Sequence, residues 1–171
     1  MLISLIKYVQ GVFMRRKDRE VTDINEIIDI IKQCDVCSLA FFDEEYPYTI
    51  PLNFGWHYDG DKIEFYYHCA GVGKKLDLIR TNPKVAFGMN CNHKLITGDN
   101  ACDYTMEYES VCGNGIIQIL PDEDKITALN YLMKQYSDGE SFQYDENLVK
   151  RIAVLKLTVH NIFGKKLKHS Y

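Results

Sequence analysis

The run Gly71-Val72-Gly73-Lys74-Lys75 carries the sharpest chemical signal in the chain. Two glycines permit a sharp backbone turn, and two lysines follow where a helix would begin. A helix start carries unpaired N–H donors and a partial positive charge, so this run outlines an anion site. A solvated helix end with lysines is the alternative. His68 stands three residues ahead of the first glycine, at the end of an aromatic run (Phe65, Tyr66, Tyr67) that favours a strand. An imidazole there could orient a substrate or hold a proton, or it could be an ordinary histidine at a barrel end.

Other chemistry-bearing residues are less well placed. Cys34 and Cys37 have redox or zinc spacing, but no second cysteine or histidine pair accompanies them. The six cysteines are scattered and suit buried structural thiols in a reducing, cytoplasmic setting. His57, His93, His160 and His169 lack a second ligand at metal spacing, so no metal site is expected. Asp43-Glu44-Glu45 reads as a turn and not as an acid–base pair. No nucleotide glycine fingerprint or Ser-His-Asp order is present. A formal net charge of -4 gives no general attraction to nucleic acid.

These residues need elements to position them. The 171 residues suffice for one domain with a real core. Met1 to Met14 is apolar but interrupted by Lys7 and Gln10, too short to span a bilayer. It reads, to residue 13, as a docking arm or an over-extended start, with one domain over 14–171. Asp23, with Glu26 three residues on, predicts a capped helix to about Gln33, its stripe formed by Ile24, Ile27, Ile28 and Ile31. Strands are expected over Val36–Phe42, Tyr46–Phe54, Trp56–Tyr58 and Lys62–His68. Pro47 and Pro51 place the second of these at an edge or bulge.

After the glycine turn, Leu76 and Ile79 face a short helix inward, stopped at Asn82-Pro83. Lys84–Cys91 is a strand with Val85, Phe87 and Met89 on one side, and Asn92–Tyr104 reads as loop. Tyr108–Leu120 is a long strand with a bulge or corner at Gly113 and Gly115. Pro121 opens a helix with Ala128, Leu129, Leu132 and Met133 in its stripe. Ser137–Glu146 is loop, and Arg151–Val159 is a final strand. Six or so mainly antiparallel strands with three helices predict a mostly β (α+β) fold, a small Greek-key-like barrel with peripheral helices.

The run MRRKDREVTD (14–23), YPYTIPLNFG (46–55) and the stretch from His68 to Ile79 resemble the Nim-type, 5-nitroimidazole-resistance branch of the pyridoxamine 5′-phosphate oxidase-like family. DNACD (99–103), SVCGNG (110–115) and FGKK (163–166) fit the same branch, so the resemblance spans about Met14 to Lys166. It implies an FMN-binding split barrel, a homodimer with flavin at the subunit interface. Lys74 and Lys75, with Gly73, would grip the FMN phosphate. Pro51, Leu52, Asn53 and Phe54 would run beside the isoalloxazine ring, and His68, near the flavin, would orient an electrophile, donate to the reduced flavin or bind the cofactor's phosphate or ribityl chain. Tyr108, Ser110 and Val111 would meet the partner subunit's flavin. The implied activity is FMN-dependent reduction of small oxidised compounds, nitroimidazoles among them, with reduced pyridine nucleotide or another small donor. Pyridoxamine phosphate oxidation is disfavoured, because His160-Asn161-Ile162-Phe163 stands where an arginine and histidine cluster would be needed. The rival reading is a non-catalytic haem or flavin carrier or sensor, with His68 as a haem ligand.

Overall fold

The computed structural model describes residues 15–139 and 141–168. The expected N-terminal arm lies outside them. Eight strands form one antiparallel sheet: β1 (Glu20–Val21), β2 (Cys37–Phe41), β3 (Tyr48–Leu52), β4 (Gly55–Tyr58), β5 (Ile63–Ala70), β6 (Lys84–Ile96), β7 (Thr105–Ile119) and β8 (Ile152–Leu167). The helices are α1 (Ile24–Gln33), α2 (Lys74–Thr81), α3 (Asp122–Tyr136) and α4 (Glu146–Arg151). The sheet runs β3-β2-β6-β7-β8-β5-β4, with β1 pairing β8.

β3 and β4 end this path on opposite sides, yet only Asn53 and Phe54 separate them in the chain. The sheet must therefore roll until its two ends meet, which makes a barrel whose seam is not hydrogen-bonded. The fold is a split barrel: the short antiparallel links predict the barrel, and the family resemblance implies its split form. Pro47 precedes β3 and Pro51 lies within it, on the outermost strand, where a missing donor costs least.

Local sequence explains most elements. Asp23 Oδ1 accepts from Asn25 N–H at 2.8 Å and starts α1. Glu26 does not close a capping box; it accepts from Lys166 Nζ at 2.7 Å. Ile27, Ile30 and Ile31 of α1 enter the barrel core. There Phe65 meets Phe54 and Phe87 edge-on, with ring centroids 5.7 and 5.1 Å away. Gly113 is obligatory because a Cβ there would strike Asn161 C=O and the Phe87 ring. The expected irregularity falls beside it, as a register shift between Asn114 and Gly115.

The structure lengthens the two strands that the sequence stops early. Asn92–Tyr104 is not all loop: β6 continues to Ile96 across a bulge between Cys91 and Lys94. Asn92 takes φ 56° there, a conformation asparagine tolerates. Its amide donates to Gln33 Oε1 and Glu109 Oε2, both at 2.8 Å. β8 likewise runs on to Leu167, because β7 supplies partners as far as Tyr108. Asp145, inside the expected loop, caps a helix that the sequence reading did not foresee, α4, through the Asn147 and Leu148 N–H groups. Pro121 precedes α3 as its N-cap and is not its first helical residue. Ala153, Val154 and Leu155 are buried in succession, since Val154 lies against α3 (Ala128, Leu129) and Leu155 in the barrel core. No helix among the described residues is long and apolar enough to cross a membrane.

Candidate functional site at the barrel seam

β4 pairs with β5 only from Tyr58↔Ile63 to Gly55↔Tyr66. Beyond Tyr66, β5 has β8 on one side and the open seam on the other. Across that seam lies a cavity of about 390 Å³ lined by Val36, Pro51, Leu52, Asn53 and His68. The topology thus brings together the β3 run and the histidine that the sequence singled out. His68 is exposed, between the buried Tyr67 and Cys69, as strand alternation requires. Asn53 is tied to its own side of the seam, its amide donating at 3.3 Å to the C=O of Asp35, just ahead of the neighbouring strand β2.

Phe54 belongs elsewhere. Its ring is fully buried, and its N–H donates to Tyr136 Oη at 2.9 Å. Tyr136 Oη in turn donates to Asp35 C=O at 2.7 Å. Neither its ring nor its N–H is free for a bound group.

From His68 the chain passes through the glycine turn into α2. Gly73 has φ 137°, which L side chains rarely adopt, and no side chain caps the helix behind it. Leu76 N–H turns back to Gly73 C=O at 2.9 Å. The first backbone donors of α2 therefore point outward. Lys74 Nζ sits 2.5 Å from Asp43 Oδ2 and 5.6 Å from the Tyr48 ring centroid. The Asp43 hydrogen bond raises the Lys74 ammonium pKa, and the same bond lowers that of the carboxyl. Lys75 reaches the Cys69 thiol: burial pushes that thiol up, and Lys75 partly offsets it. The acidic turn residue Asp43 was not legible as part of this site, because nothing local links it to a lysine on a later helix.

Tyr108, Ser110 and Val111 are not drawn into the seam cavity. Val111 is wholly inside the barrel. Tyr108 and Ser110 stand on the other side of β7, with Lys165 Nζ 5.7 Å from the Tyr108 ring centroid and Ser110 Oγ donating to Lys165 C=O at 3.4 Å. Burial raises the Tyr108 phenol, but Lys165 and Arg19 outweigh it and hold the pKa below its ordinary value. The same outer face carries mostly small and polar residues in register across five strands: Pro51, Ser38, Gly88 and Cys112 form one row, which ends on the larger Phe163. Thr49, Ala40, Ala86, Asn114 and Asn161 form the next. Pro51 joins this face to the seam cavity.

The family described as pyridoxamine 5′-phosphate oxidase matches residues 23–166. A protein from Bacteroides thetaiotaomicron assigned to 5-nitroimidazole antibiotic resistance is 29% identical, with 88% of this chain and 90% of that one covered and a TM-score of 0.71. A FAD- and haem-binding protein from Mycobacterium smegmatis shares the fold at 17% identity, covering 88% of this chain and 74% of that one, TM-score 0.77. So does a flavocytochrome from Azotobacter vinelandii, at 15% identity, 91% and 72% coverage and TM-score 0.76. No curated protein matches the chain.

Proposed function

Because the chain belongs to the pyridoxamine 5′-phosphate oxidase family, we propose that it is an FMN-binding, homodimeric oxidoreductase of the cytoplasm that reduces small oxidised compounds, nitro compounds included. The observation that carries this reading is the single path from the seam cavity, past His68, into the lysine-bearing start of α2. A flavin mononucleotide needs both ends of that path: a wall for its ring and a cationic grip for its phosphate.

The residues present fit such a group. Lys74, Lys75 and the outward N–H groups of α2 would hold the phosphate. The backbone of Leu52 and Asn53 would meet the polar edge of the ring, with Pro51 contributing only its carbonyl. When bound, the flavin supplies hydride or electron transfer between a donor such as reduced pyridine nucleotide and an acceptor. His68 would hold or deliver a proton from an imidazole nitrogen at the cavity mouth. The small residues of the outer sheet face permit close, flat approach of a second copy, which would bring Tyr108 and Ser110 against a flavin held by its partner. The likeness to the nitroimidazole-resistance protein supports nitro compounds as acceptors.

The visible spectrum of the purified protein tests the reading. Flavin bands, with FMN released on denaturation, are expected. A haem Soret band would replace the reductase by a haem carrier or sensor using His68. A colourless protein that takes up no added FMN would overturn the cofactor assignment.

A further inference from the structure

A second cavity, of about 460 Å³, lies between α1, β4 and α3 and shares no lining residue with the seam cavity. Its volume is within the range of small-molecule sites. Its walls are aromatic. His57 stacks on Tyr131 at a centroid distance of 4.7 Å, and Tyr131 stacks on Tyr66 at 5.0 Å. Trp56 lines the same space. Its Nε1 donates to Gln135 Oε1 at 3.0 Å, while the Gln135 amide donates to the carbonyls of Ile31, Lys32 and Cys34 at the end of α1. Gly55 sets α3 close: a Cβ there would strike the backbone of Tyr131 and Leu132. The platform is therefore built before any ligand arrives. Two cations, Lys32 and Lys134, stand at its rim. Asp29 holds Lys32 at 2.9 Å, so Lys134 carries the larger share of any contact with an anion.

Aromatic rings and lysines converging on one cavity match a planar ring that bears a negative charge. Stacking and cation–π contacts hold the ring, and the ammonium groups hold its phosphate or carboxylate. We propose that this cavity is a binding site for an aromatic anion, either a nucleotide or an aromatic carboxylate, separate from the flavin site.

The protein contains one tryptophan, and it lines the cavity. Trp56 fluorescence, selectively excited, is read while the flavin-loaded and flavin-free full chains are titrated with AMP and with benzoate. Adenosine and inorganic phosphate serve as half-ligands, and equilibrium dialysis of AMP and benzoate gives a reading independent of quenching. Saturable binding of AMP or benzoate is expected, with both half-ligands weaker. The exposed substitution Lys134→Glu should weaken it by about tenfold or more. Binding of AMP alone identifies a nucleotide site, and benzoate alone an aromatic carboxylate site; binding of both supports the general class. No saturable binding by dialysis, adenosine binding as tightly as AMP and benzoate not binding, or Lys134→Glu binding as tightly as the parent would each overturn the proposal. None of these results bears on the flavin reading.

Discussion

Lys74 and Asp43 form an ion pair that joins the start of α2 to the turn between β2 and β3, with the Tyr48 ring beside the ammonium group. The lysine assigned to a phosphate thus already has a carboxylate partner. Asp43 holds Lys74 in place and also competes with any anion that approaches it.

Two consequences follow for binding. Asp43→Asn removes the competing charge and should tighten FMN binding about two- to fivefold, because partly exposed pairs are weak. The gain should shrink as salt is added. Lys74→Ala with Lys75→Ala should weaken FMN binding about a hundredfold or more, since two charge-assisted contacts are lost. Flavin fluorescence titration measures both, and unchanged affinity in the double variant removes the phosphate assignment.

Glu109 is a buried carboxylate at the far end of the sheet, facing Asn92, Lys166 and Lys168. Burial raises its pKa, but the asparagine amide and the two lysines outweigh it and leave the folded value below the ordinary 4.5. Its contribution to stability is therefore present above pH 4.5 and lost as pH falls through the lower folded value. Glu109→Gln should cost about 1–3 kcal/mol at neutral pH. Urea unfolding at a series of pH values should show this cost narrowing in acid; a constant gap would deny the carboxylate its role.

Gly55→Ala drives a methyl group into the backbone of Tyr131 and Leu132, which cannot move aside as a flexible side chain would. A loss of about 1–3 kcal/mol is expected from overpacking, read as a lower urea midpoint. Full stability would mean that α3 is free to shift from β4.

Gln135→Ala leaves Trp56 Nε1 and the α1 carbonyls without their shared partner. A loss of about 1–3 kcal/mol is expected, together with a changed Trp56 emission maximum. An unaltered spectrum would show that Gln135 does not hold the indole.

By itself the sequence determined the elements whose cause is local. The isoleucine repeat of α1, its Asp23 cap and the alternation of Val85, Phe87 and Met89 recur at 3.6 or 2 residues whatever the rest of the chain does. The glycine turn and Lys74 at the start of α2 were legible in the same way. Tertiary structure decided the rest. β6 and β8 outrun their sequence signals because partners on β7 complete their hydrogen bonds. The Asp43–Lys74, Gln135–Cys34 and Tyr136–Phe54 contacts join residues far apart in the chain. No periodicity encodes them: they exist because β3 and β4, two residues apart, occupy opposite ends of one sheet, and its closure brings distant segments to the same seam.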